Sequence, residues 1–286
     1  MNWQDRKFKA LIERALAEDV GTGDITSEAV IDKSLMNCAK IKVKQSGVLA
    51  GIFLAEQVFK TVDRKIKFKL YKKDGSQIKK GETIALVCGK TRSILQAERV
   101  ALNFLQKLCG IATLTNEFVK KVKKTKVKIL DTRKTTPTLR LLEKYAVRMG
   151  GGKNHRFGLH DMILIKDNHI RACGSVKQAV LRAKSFIAQS KPKRKIKIEV
   201  EVRNIRELEE AIKSGVDRVM LDNMHTGDIR KCVKLVRSSK KKIEIEVSGN
   251  VDLNNVIKIA RTGVDFISIG ALTHSALALD LNLVLC

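Results

Sequence analysis

Proline and aromatic residues are scarce in this sequence: 2 of its 286 residues are proline, and 4% are Phe, Trp or Tyr. Because proline is scarce and no stretch is of low complexity, we do not expect long disordered linkers. The few aromatic rings and the lack of an RNA-binding or DNA-binding motif argue against a nucleic-acid-binding module, since such modules stack bases on aromatic side chains. A chain of this length predicts one large domain or two unequal ones.

Long apolar runs and paired cysteine motifs are also missing. No stretch reaches the roughly 18 apolar residues of a membrane span. The first twenty residues alternate charged and apolar side chains at helical spacing, which predicts a helix rather than a signal peptide. The 6 cysteines are scattered without a CxxC pair, which excludes zinc-finger spacing and indicates reduced thiols. We therefore expect a cytoplasmic protein.

Acidic residues are outnumbered, 30 against 57 basic ones, so the net charge is +27. Such an excess is typical of nucleic-acid-binding proteins, and this alternative class stays open. However, the runs KKVKKTK, KPKRKIK and SSKKK each follow a helical segment and precede an apolar strand. Lysine at a helix C-terminus complements the helix dipole. We interpret these runs as solvated surface, more than a Debye length of ~8 Å from any site.

From about residue 127 the sequence repeats a short apolar strand followed by an amphipathic helix. The predicted strands cover residues 127–131, 162–167, 196–202, 217–223, 243–249 and 265–271. Alternating strands and helices predict a parallel sheet with right-handed crossovers, as either a β/α barrel or a doubly wound sheet. No glycine-rich nucleotide-binding motif follows the first strand, which weakens the second option. By contrast, the first 112 or so residues contain short strands, turns and a long helix from about Arg92 to Leu108, which predicts an α+β domain.

Polar residues end every predicted strand, which favours the barrel, because barrel enzymes build their sites at the carboxyl ends of the strands. These residues are Asp131 to Lys134, Lys166 to His169, Glu199 and Glu201, Asp222 and Asn223, Ser248 to Asn250, and Gly270. The residues from Gly150 to Gly152 introduce a loop whose backbone can approach a ligand closely.

Five cations are expected on this face: Arg133, Lys134, His155, Arg156 and Lys166. Such a cluster repels itself unless an anion lies between its members, so it predicts a substrate with several negative charges.

Two acids, Glu201 and Asp222, also end strands. They either form ion pairs with Lys166 or Arg133, or they bind Mg²⁺ or the hydroxyls of a sugar. Glu199 faces the same side of its strand as Glu201, and the sequence does not choose between them. Late-strand backbone amides are the usual phosphate site of barrel enzymes.

The sequence resembles the quinolinate phosphoribosyltransferase family over nearly its whole length. The motifs that carry the resemblance are EDVGTGDITS, GVLAG, AERVALNFLQKLCGIAT, DTRKTTPTLR, GGGKNHRFGLHDMILIKDNH, EVEV, MLDN, EVSGN and ISIGALTHS. The resemblance implies an incomplete TIM-like β/α barrel over residues 113–274. It also implies an N-terminal α+β open-sandwich domain over residues 1–112, rejoined by residues 275–286.

The resemblance implies a reaction of quinolinate with phosphoribosyl pyrophosphate in the presence of Mg²⁺. The products are nicotinate mononucleotide, pyrophosphate and CO₂, a step of NAD biosynthesis. It assigns quinolinate binding to Arg99, Thr132, Arg133, His155, Arg156 and Lys166. It assigns catalysis and phosphoribosyl pyrophosphate binding to Lys134, Glu201 and Asp222, the last two also holding the metal. Further phosphate contacts fall on Ser248, Gly249, Asn250, Ile269, Gly270 and Ala271. In this family's homodimer Arg99 reaches the neighbouring site. A relative that uses another pyridine or an oxyanion is the remaining alternative within the same fold.

Overall fold

The computed structural model describes residues 6–286, with side chains from residue 8 onward. The predicted opening helix is present as α1 (Arg6–Val20), and the first five residues of the prediction lie outside the described part. Phe8, Ile12 and Leu16 are buried at a spacing of four residues, so one stripe of α1 contributes to the core.

The chain divides into two compact units. The first comprises the described part of Met1–Asn116 together with Leu141–Gly151 and Ser275–Cys286, and the second comprises Glu117–Arg140 and Gly152–His274. No helix among the described residues is long and apolar enough to cross a membrane.

The first unit begins with short helices and strands of antiparallel character. Its elements after α1 are α2 (Ile25–Val30), β1 (Met36–Val43), β2 (Gly47–Val48), α3 (Ile52–Val62), β3 (Lys67–Leu70), β4 (Gln77–Ile78), β5 (Thr83–Lys90) and α4 (Thr91–Val122), followed later by α5 (Arg140–Met149). The last turns of α4, from Glu117, and the first residue of α5 belong to the second unit. Helix α4 continues well beyond the predicted end at Leu108. Gly110 is part of this helix, and a Cβ there would lie 1.9 Å from the Leu277 carbonyl oxygen. Gly110, just past the predicted end, therefore serves close packing inside the helix.

The second unit is a parallel sheet with helices between its strands. Its elements are β6 (Lys128–Leu130), β7 (Ile163–Ile165), α6 (Asp167–Cys173), α7 (Val176–Ser190), β8 (Ile198–Val202), α8 (Ile205–Ser214), β9 (Arg218–Asp222), α9 (Thr226–Ser238), β10 (Glu244–Ser248), α10 (Val256–Ala260), β11 (Phe266–Ser268) and α11 (Ala271–His274). All six predicted strands are present. Their order is β6-β11-β10-β9-β8-β7, so β6 and β7 are edge strands. The expected incomplete barrel is confirmed.

Residues alternate between the two faces of these strands, and both faces are buried. Ile198, Val200 and Val202 of β8 are apolar and buried, whereas Glu199 and Glu201 alternate with them and are also buried. The register places Glu199 beside Arg218 of β9, and Arg218 beside Glu244 of β10. The face opposite the apolar residues therefore carries charges, which pair with one another across neighbouring strands.

The first unit is completed by β12 (Leu281–Leu285), which pairs with β1 in the sheet β12-β1-β5-β3. In this sheet Cys38 of β1 lies opposite Cys88 of β5, and the two form a disulfide. The expectation that all cysteines are reduced thiols is therefore wrong for this pair. The two cysteines are 50 residues apart in sequence, and only the strand register brings them together.

Candidate active site

A cavity of about 750 Å³ opens at the carboxyl ends of the parallel strands, and all of its lining residues belong to the second unit. Every residue that the sequence analysis assigned to the site, except Arg99, lines it. These residues are Thr132, Arg133, Lys134, His155, Arg156, Lys166, Glu201, Asp222, Ser248, Gly249, Asn250, Ile269, Gly270 and Ala271. Arg99 is exposed on α4 of the first unit and is not among the lining residues.

The loop after β6 presents Thr132, Arg133 and Lys134 to the cavity. Its backbone is fixed at Lys134, whose N–H donates to Thr132 Oγ1 (3.0 Å) and whose carbonyl accepts from the buried Thr273 Oγ1 (2.7 Å). Both cationic side chains of this loop are exposed. A fixed backbone carrying exposed cations is suited to binding an anion that enters from solvent.

Asp131, at the end of β6, is fully buried and anchors the loop that follows α5. Its carboxylate accepts from the backbone N–H of His155 (2.9 Å) and from Nδ2 of Asn154 (2.5 Å). Lys153 of the same loop pairs with β6, since its N–H donates to the Ile129 carbonyl (2.8 Å). The loop that the three glycines introduce is therefore held against the edge of the sheet, with His155 and Arg156 at the cavity.

His155 is fixed through both ring nitrogens. Nδ1 accepts from the Arg156 backbone N–H (2.7 Å), while Nε2 lies 3.1 Å from Glu199 and 3.5 Å from Glu246. Burial lowers the pKa of His155, but the hydrogen bonds and charges of the two glutamates outweigh burial and raise it to about 9. Protonation of the neutral ring takes place at Nδ1 and breaks the hydrogen bond that Nδ1 accepts from the Arg156 N–H. The loss of this hydrogen bond opposes the increase in the pKa. The imidazole ring therefore connects the binding loop to charges inside the barrel.

Glu246 lines the cavity, Glu199 lies beneath it, and Arg218 contacts both carboxylates. Arg218 Nη1 donates to Glu246 (2.9 Å) and lies 3.9 Å from Glu199, and its other nitrogens bind Glu244. Burial and the neighbouring Glu246 raise the pKa of Glu199. Burial opposes ionisation of Glu246 too, but His155 and Arg218 together lower its pKa. Two buried carboxylates are thus balanced by a guanidinium and an imidazole.

Among the described residues, one group of side chains has its possible metal-ligand atoms close enough together to hold an ion. It consists of His155, Glu199 and Glu246, whose ligand atoms all lie within 4.8 Å of one another. Arg218 already supplies a positive charge to both carboxylates. The two carboxylates of this group are therefore neutralised by a guanidinium, and a divalent cation is not needed to balance their charge.

The two arginines of the cavity repel each other. Burial lowers the pKa of Arg156, and the positive charge of Arg133 lowers it further. The Arg156 guanidinium is fixed by a hydrogen bond from Nη1 to the Met162 carbonyl (3.2 Å). Two like charges at one cavity favour an anion between them, because a carboxylate can accept hydrogen bonds from both guanidinium groups.

Lys166 and Glu201 form an ion pair at 2.5 Å. Of the two interpretations offered for Glu201, the structure therefore contains the ion pair with Lys166. The structure also separates Glu201, which lines the cavity, from Glu199, which lies beneath it. Asp222 lines the cavity as well, and its Oδ2 accepts from Asn223 (3.0 Å). Two carboxylates that face a cavity are oxygen ligands of the kind that Mg²⁺ prefers.

The loop after β10 approaches the loop after β9 very closely. Gly249 has a φ of +96°, and a Cβ there would lie 2.2 Å from Asn223 Oδ1. Asn223 and Asn250 themselves have positive φ values and are joined by a 3.2 Å hydrogen bond. Only glycine fits at position 249, and the exposed backbone of this turn is available to a phosphate.

Sequence reasoning missed several residues that line the cavity, including Glu246, Ser268 and His274. Glu246 lies inside β10, and Ser268 ends β11 but lay inside the predicted strand 265–271, so the strand-end rule selected neither. The signal that could have found Glu246 is its parity with Ser248, since alternate residues of one strand face the same side.

A family model described as "Quinolinate phosphoribosyl transferase, C-terminal domain" matches residues 111–284, and the corresponding N-terminal domain model matches residues 24–109. Together the two models span most of the described chain.

The chain is similar to curated relatives over nearly all of its length. It is 43% identical over 277 residues to the probable nicotinate-nucleotide pyrophosphorylase (carboxylating) of Bacillus subtilis (strain 168), covering 97% of this chain and 93% of the relative. It is 44% identical to quinolinate phosphoribosyltransferase (decarboxylating) 2a, mitochondrial, of Nicotiana tabacum, covering 96% of this chain and 81% of the relative.

Solved structures are similar as well. The nicotinate-nucleotide pyrophosphorylase from Francisella tularensis matches with a TM-score of 0.90 and 42% identity, covering 98% of this chain and 96% of that chain. The protein of the same description from Ehrlichia chaffeensis matches with a TM-score of 0.90 and 41% identity, covering 98% of both chains.

Proposed function

The chain belongs to the quinolinate phosphoribosyl transferase family, and we infer that it catalyses the reaction for which its curated relatives are named. Quinolinate and phosphoribosyl pyrophosphate react to nicotinate mononucleotide, pyrophosphate and CO₂, which is a step of NAD biosynthesis. The observation that supports this most directly is the cavity itself, in which four arginine and lysine side chains and two histidines line a space of about 750 Å³. Such a space accommodates two small anionic substrates.

We assign the quinolinate carboxylates to the side of the cavity that carries Thr132, Arg133, His155, Arg156 and Lys166. Arg133 and Arg156 are the bidentate groups, since two guanidinium groups at one cavity match two carboxylates. His155 contributes charge and holds the loop, because both of its ring nitrogens already have partners in the protein. Lys166 exchanges its contact with Glu201 for a carboxylate when the substrate enters.

Phosphoribosyl pyrophosphate is assigned to the other site residues that line the same cavity. We assign the exposed Lys134 to the pyrophosphate group and Glu201 and Asp222 to the ribose, since all three line the cavity. The backbone of the two turns after β10 and β11 surrounds the 5′-phosphate. The residues of these turns are Ser248, Gly249, Asn250, Ile269, Gly270 and Ala271. The acidic pair fits Mg²⁺, and Glu201 and Asp222 would hold the ion directly or through water, where it would offset the charge of the pyrophosphate.

The chemistry needs positioning more than covalent catalysis. Breaking the C1–O bond to pyrophosphate leaves positive charge on the ribose, which the carboxylates of Glu201 and Asp222 stabilise, while Lys134 neutralises the leaving group. The pyridine nitrogen of quinolinate then bonds to C1. Its positive charge stabilises the carbanion left when the adjacent carboxylate departs as CO₂, and a proton then completes the product. Fixing both substrates in line supplies much of the acceleration.

We further propose a homodimer in which Arg99 completes the neighbouring cavity. Arg99 is an exposed cation of the first unit and does not line the cavity of its own chain, which is the arrangement that such an exchange requires. The division into domains at residues 112 and 113 and the cytoplasmic location remain predictions from the sequence.

Turnover is tested by incubating the purified chain with quinolinate, phosphoribosyl pyrophosphate and Mg²⁺ and measuring nicotinate mononucleotide. We expect product in proportion to the pyrophosphate released. A second assay with nicotinate in place of quinolinate distinguishes this activity from that of a relative that uses another pyridine, because nicotinate lacks the second carboxylate. If nicotinate reacts as well as quinolinate, the assignment of two carboxylate sites is wrong, and if neither reacts, the activity itself is wrong.

A further inference from the structure

Three cysteines lie in one row across the sheet of the first unit. Cys38 of β1 is directly opposite Cys88 of β5. On its other side, β1 pairs with β12 in a register that places Ala39 opposite Leu285, and the Cys286 N–H continues this pairing by donating to the Cys38 carbonyl (2.8 Å). Directly opposed residues of neighbouring strands share one face of a sheet. Cys38 therefore has a cysteine as its neighbour on both sides.

The three sulfurs are not equivalent. Cys38 and Cys88 form a disulfide, whereas Cys286 is a free and exposed thiol whose Sγ lies 3.4 Å from the Cys38 carbonyl oxygen. All three line one open surface pocket together with Lys65 and Lys67. Lys67 is itself opposite Cys88 in the register of β3 and β5. The row thus combines a disulfide, an adjacent thiol and a cation beside the sulfur that leaves on exchange.

We propose that Cys286, Cys38 and Cys88 form a thiol–disulfide exchange site. The Cys286 thiolate attacks Sγ of Cys38, the Cys38–Cys88 bond breaks, and Cys88 leaves as a thiolate that takes a proton from water. One S–S bond forms as one breaks, so no oxidant or reductant is consumed. The positive charge of Lys67 stabilises the thiolate at Cys88. The site is independent of the proposed enzyme activity.

Exchange changes which part of the chain the cross-link holds. The Cys38–Cys88 bond joins residues 50 positions apart, whereas a Cys38–Cys286 bond joins residues 248 positions apart and ties β12 covalently to β1. A cross-link over the longer separation restricts the unfolded chain more strongly. A Cys88–Cys286 bond is not expected, because their strands are separated by β1 and lie about 9.5 Å apart, beyond the reach of roughly 7 Å between Cα atoms.

The exchange is tested by mapping the disulfides of the full chain. The protein is kept at neutral pH without reductant, quenched with N-ethylmaleimide in acid, digested without reduction and analysed by mass spectrometry. We expect two populations: Cys38 linked to Cys88 with Cys286 alkylated, and Cys38 linked to Cys286 with Cys88 alkylated. Cys286→Ser should lose all alkylation of Cys88, while Cys173→Ser, which removes another free thiol, should retain it.

Three outcomes would overturn the proposal. In the first, Cys88 is never alkylated, so the disulfide is a static cross-link. In the second, Cys38 and Cys88 are alkylated to the same extent, so the disulfide is simply open. In the third, Cys88→Ser, incubated with reduced and oxidised glutathione, forms no Cys38–Cys286 bond although its circular dichroism spectrum matches that of the parent chain.

Discussion

Arg133 and Arg156 differ in how firmly the protein holds them. Arg156 is buried and bound to the Met162 carbonyl, whereas Arg133 is exposed at the cavity. The guanidinium of Arg156 already donates to the protein, so an incoming carboxylate has to share it with the Met162 carbonyl. The guanidinium of Arg133 is exposed to solvent and can bind the carboxylate without breaking a hydrogen bond of the protein. Loss of Arg133 should therefore affect quinolinate selectively.

The first prediction concerns Arg133→Ala. In the parent chain the quinolinate carboxylate displaces water from the Arg133 guanidinium. We therefore expect the variant to bind quinolinate more weakly by about 2–5 kcal/mol, with a much smaller loss of affinity for phosphoribosyl pyrophosphate. Calorimetric titration with each ligand measures both. Arg206→Ala, which removes an exposed arginine of α8, serves as the control. Equal losses for the two ligands would show that the cavity is divided differently.

The second prediction concerns pH and His155. Its pKa is raised from 6.5 to about 9 in the folded chain. A group whose folded pKa is raised stabilises the protein fully below its unfolded pKa, and this contribution is lost as the pH rises through the folded pKa. The free energy of unfolding should therefore fall between about pH 6.5 and pH 9, the window set by this shift.

Urea unfolding of the parent chain and of His155→Gln across this pH range measures the effect. The carboxylates that face the ring are Glu199 and Glu246. Arg218 contacts both of them, and all three residues are unchanged in the variant. The difference between the two curves should shrink as the pH rises. A constant difference would mean that His155 keeps one protonation state throughout.

At the scale of elements, the strand ends and the loops after them make different contributions. The strands place side chains at the cavity through their alternation, so Asp222 and Ser248 fall at its rim by register. The loops are held by contacts that depend on single residues. The turn at Gly249 is the clearest case, since its backbone conformation and its contact with Asn223 both require glycine.

The third prediction concerns Gly249→Ala. The added Cβ would collide with the Asn223 amide and oppose a φ of +96°. We expect a loss of about 1–3 kcal/mol in stability and a weaker affinity for phosphoribosyl pyrophosphate, with quinolinate affinity less affected. Thermal unfolding and ligand titration measure these effects. Gly227→Ala is the matched control, because a Cβ there meets no atom within 4 Å. Identical behaviour of the two variants would remove Gly249 from the phosphate site.

At the scale of the whole molecule, the charge of +27 does not by itself indicate what the protein binds. All lysines of the runs at residues 191–197 and 240–242 are exposed where the chain enters β8 and β10, at the amino ends of the strands. The cavity lies at the carboxyl ends. Nucleic acid attracted to the runs should bind with a steep dependence on salt and without base preference.

The fourth prediction tests the homodimer. Arg99→Ala and Lys134→Ala should each be nearly inactive, and a mixture of the two should regain part of the activity, because one of the two cavities in a mixed dimer contains both residues. The assay measures product formation before and after the subunits exchange. Absence of recovery, in a mixture shown by mass spectrometry to contain mixed dimers, would place Arg99 in its own chain's site or outside the site.

The sequence predicted the parallel strands and the residues at their ends correctly, for a physical reason. Hydrophobic periodicity and strand-end polarity are local, and parallel strands bring their carboxyl ends to one edge whatever the details of packing. Together with the family resemblance, which supplied positions such as Ile269, these patterns selected fourteen residues that line the cavity, from Thr132 to Ala271. It could not distinguish Glu199 from Glu201, since parity places both on one face and only depth in the barrel separates them.

Only the tertiary structure decided which groups become partners. Glu246, His155 and Arg218 are far apart in sequence, and their pairing depends on the register of strands and on a loop held by Asp131. The cysteine row arises in the same way, from the alignment of β12, β1 and β5. Local pattern thus determined the fold class and the cavity, whereas long-range pairing of strands determined the charge of the cavity floor and the chemistry of the cysteines.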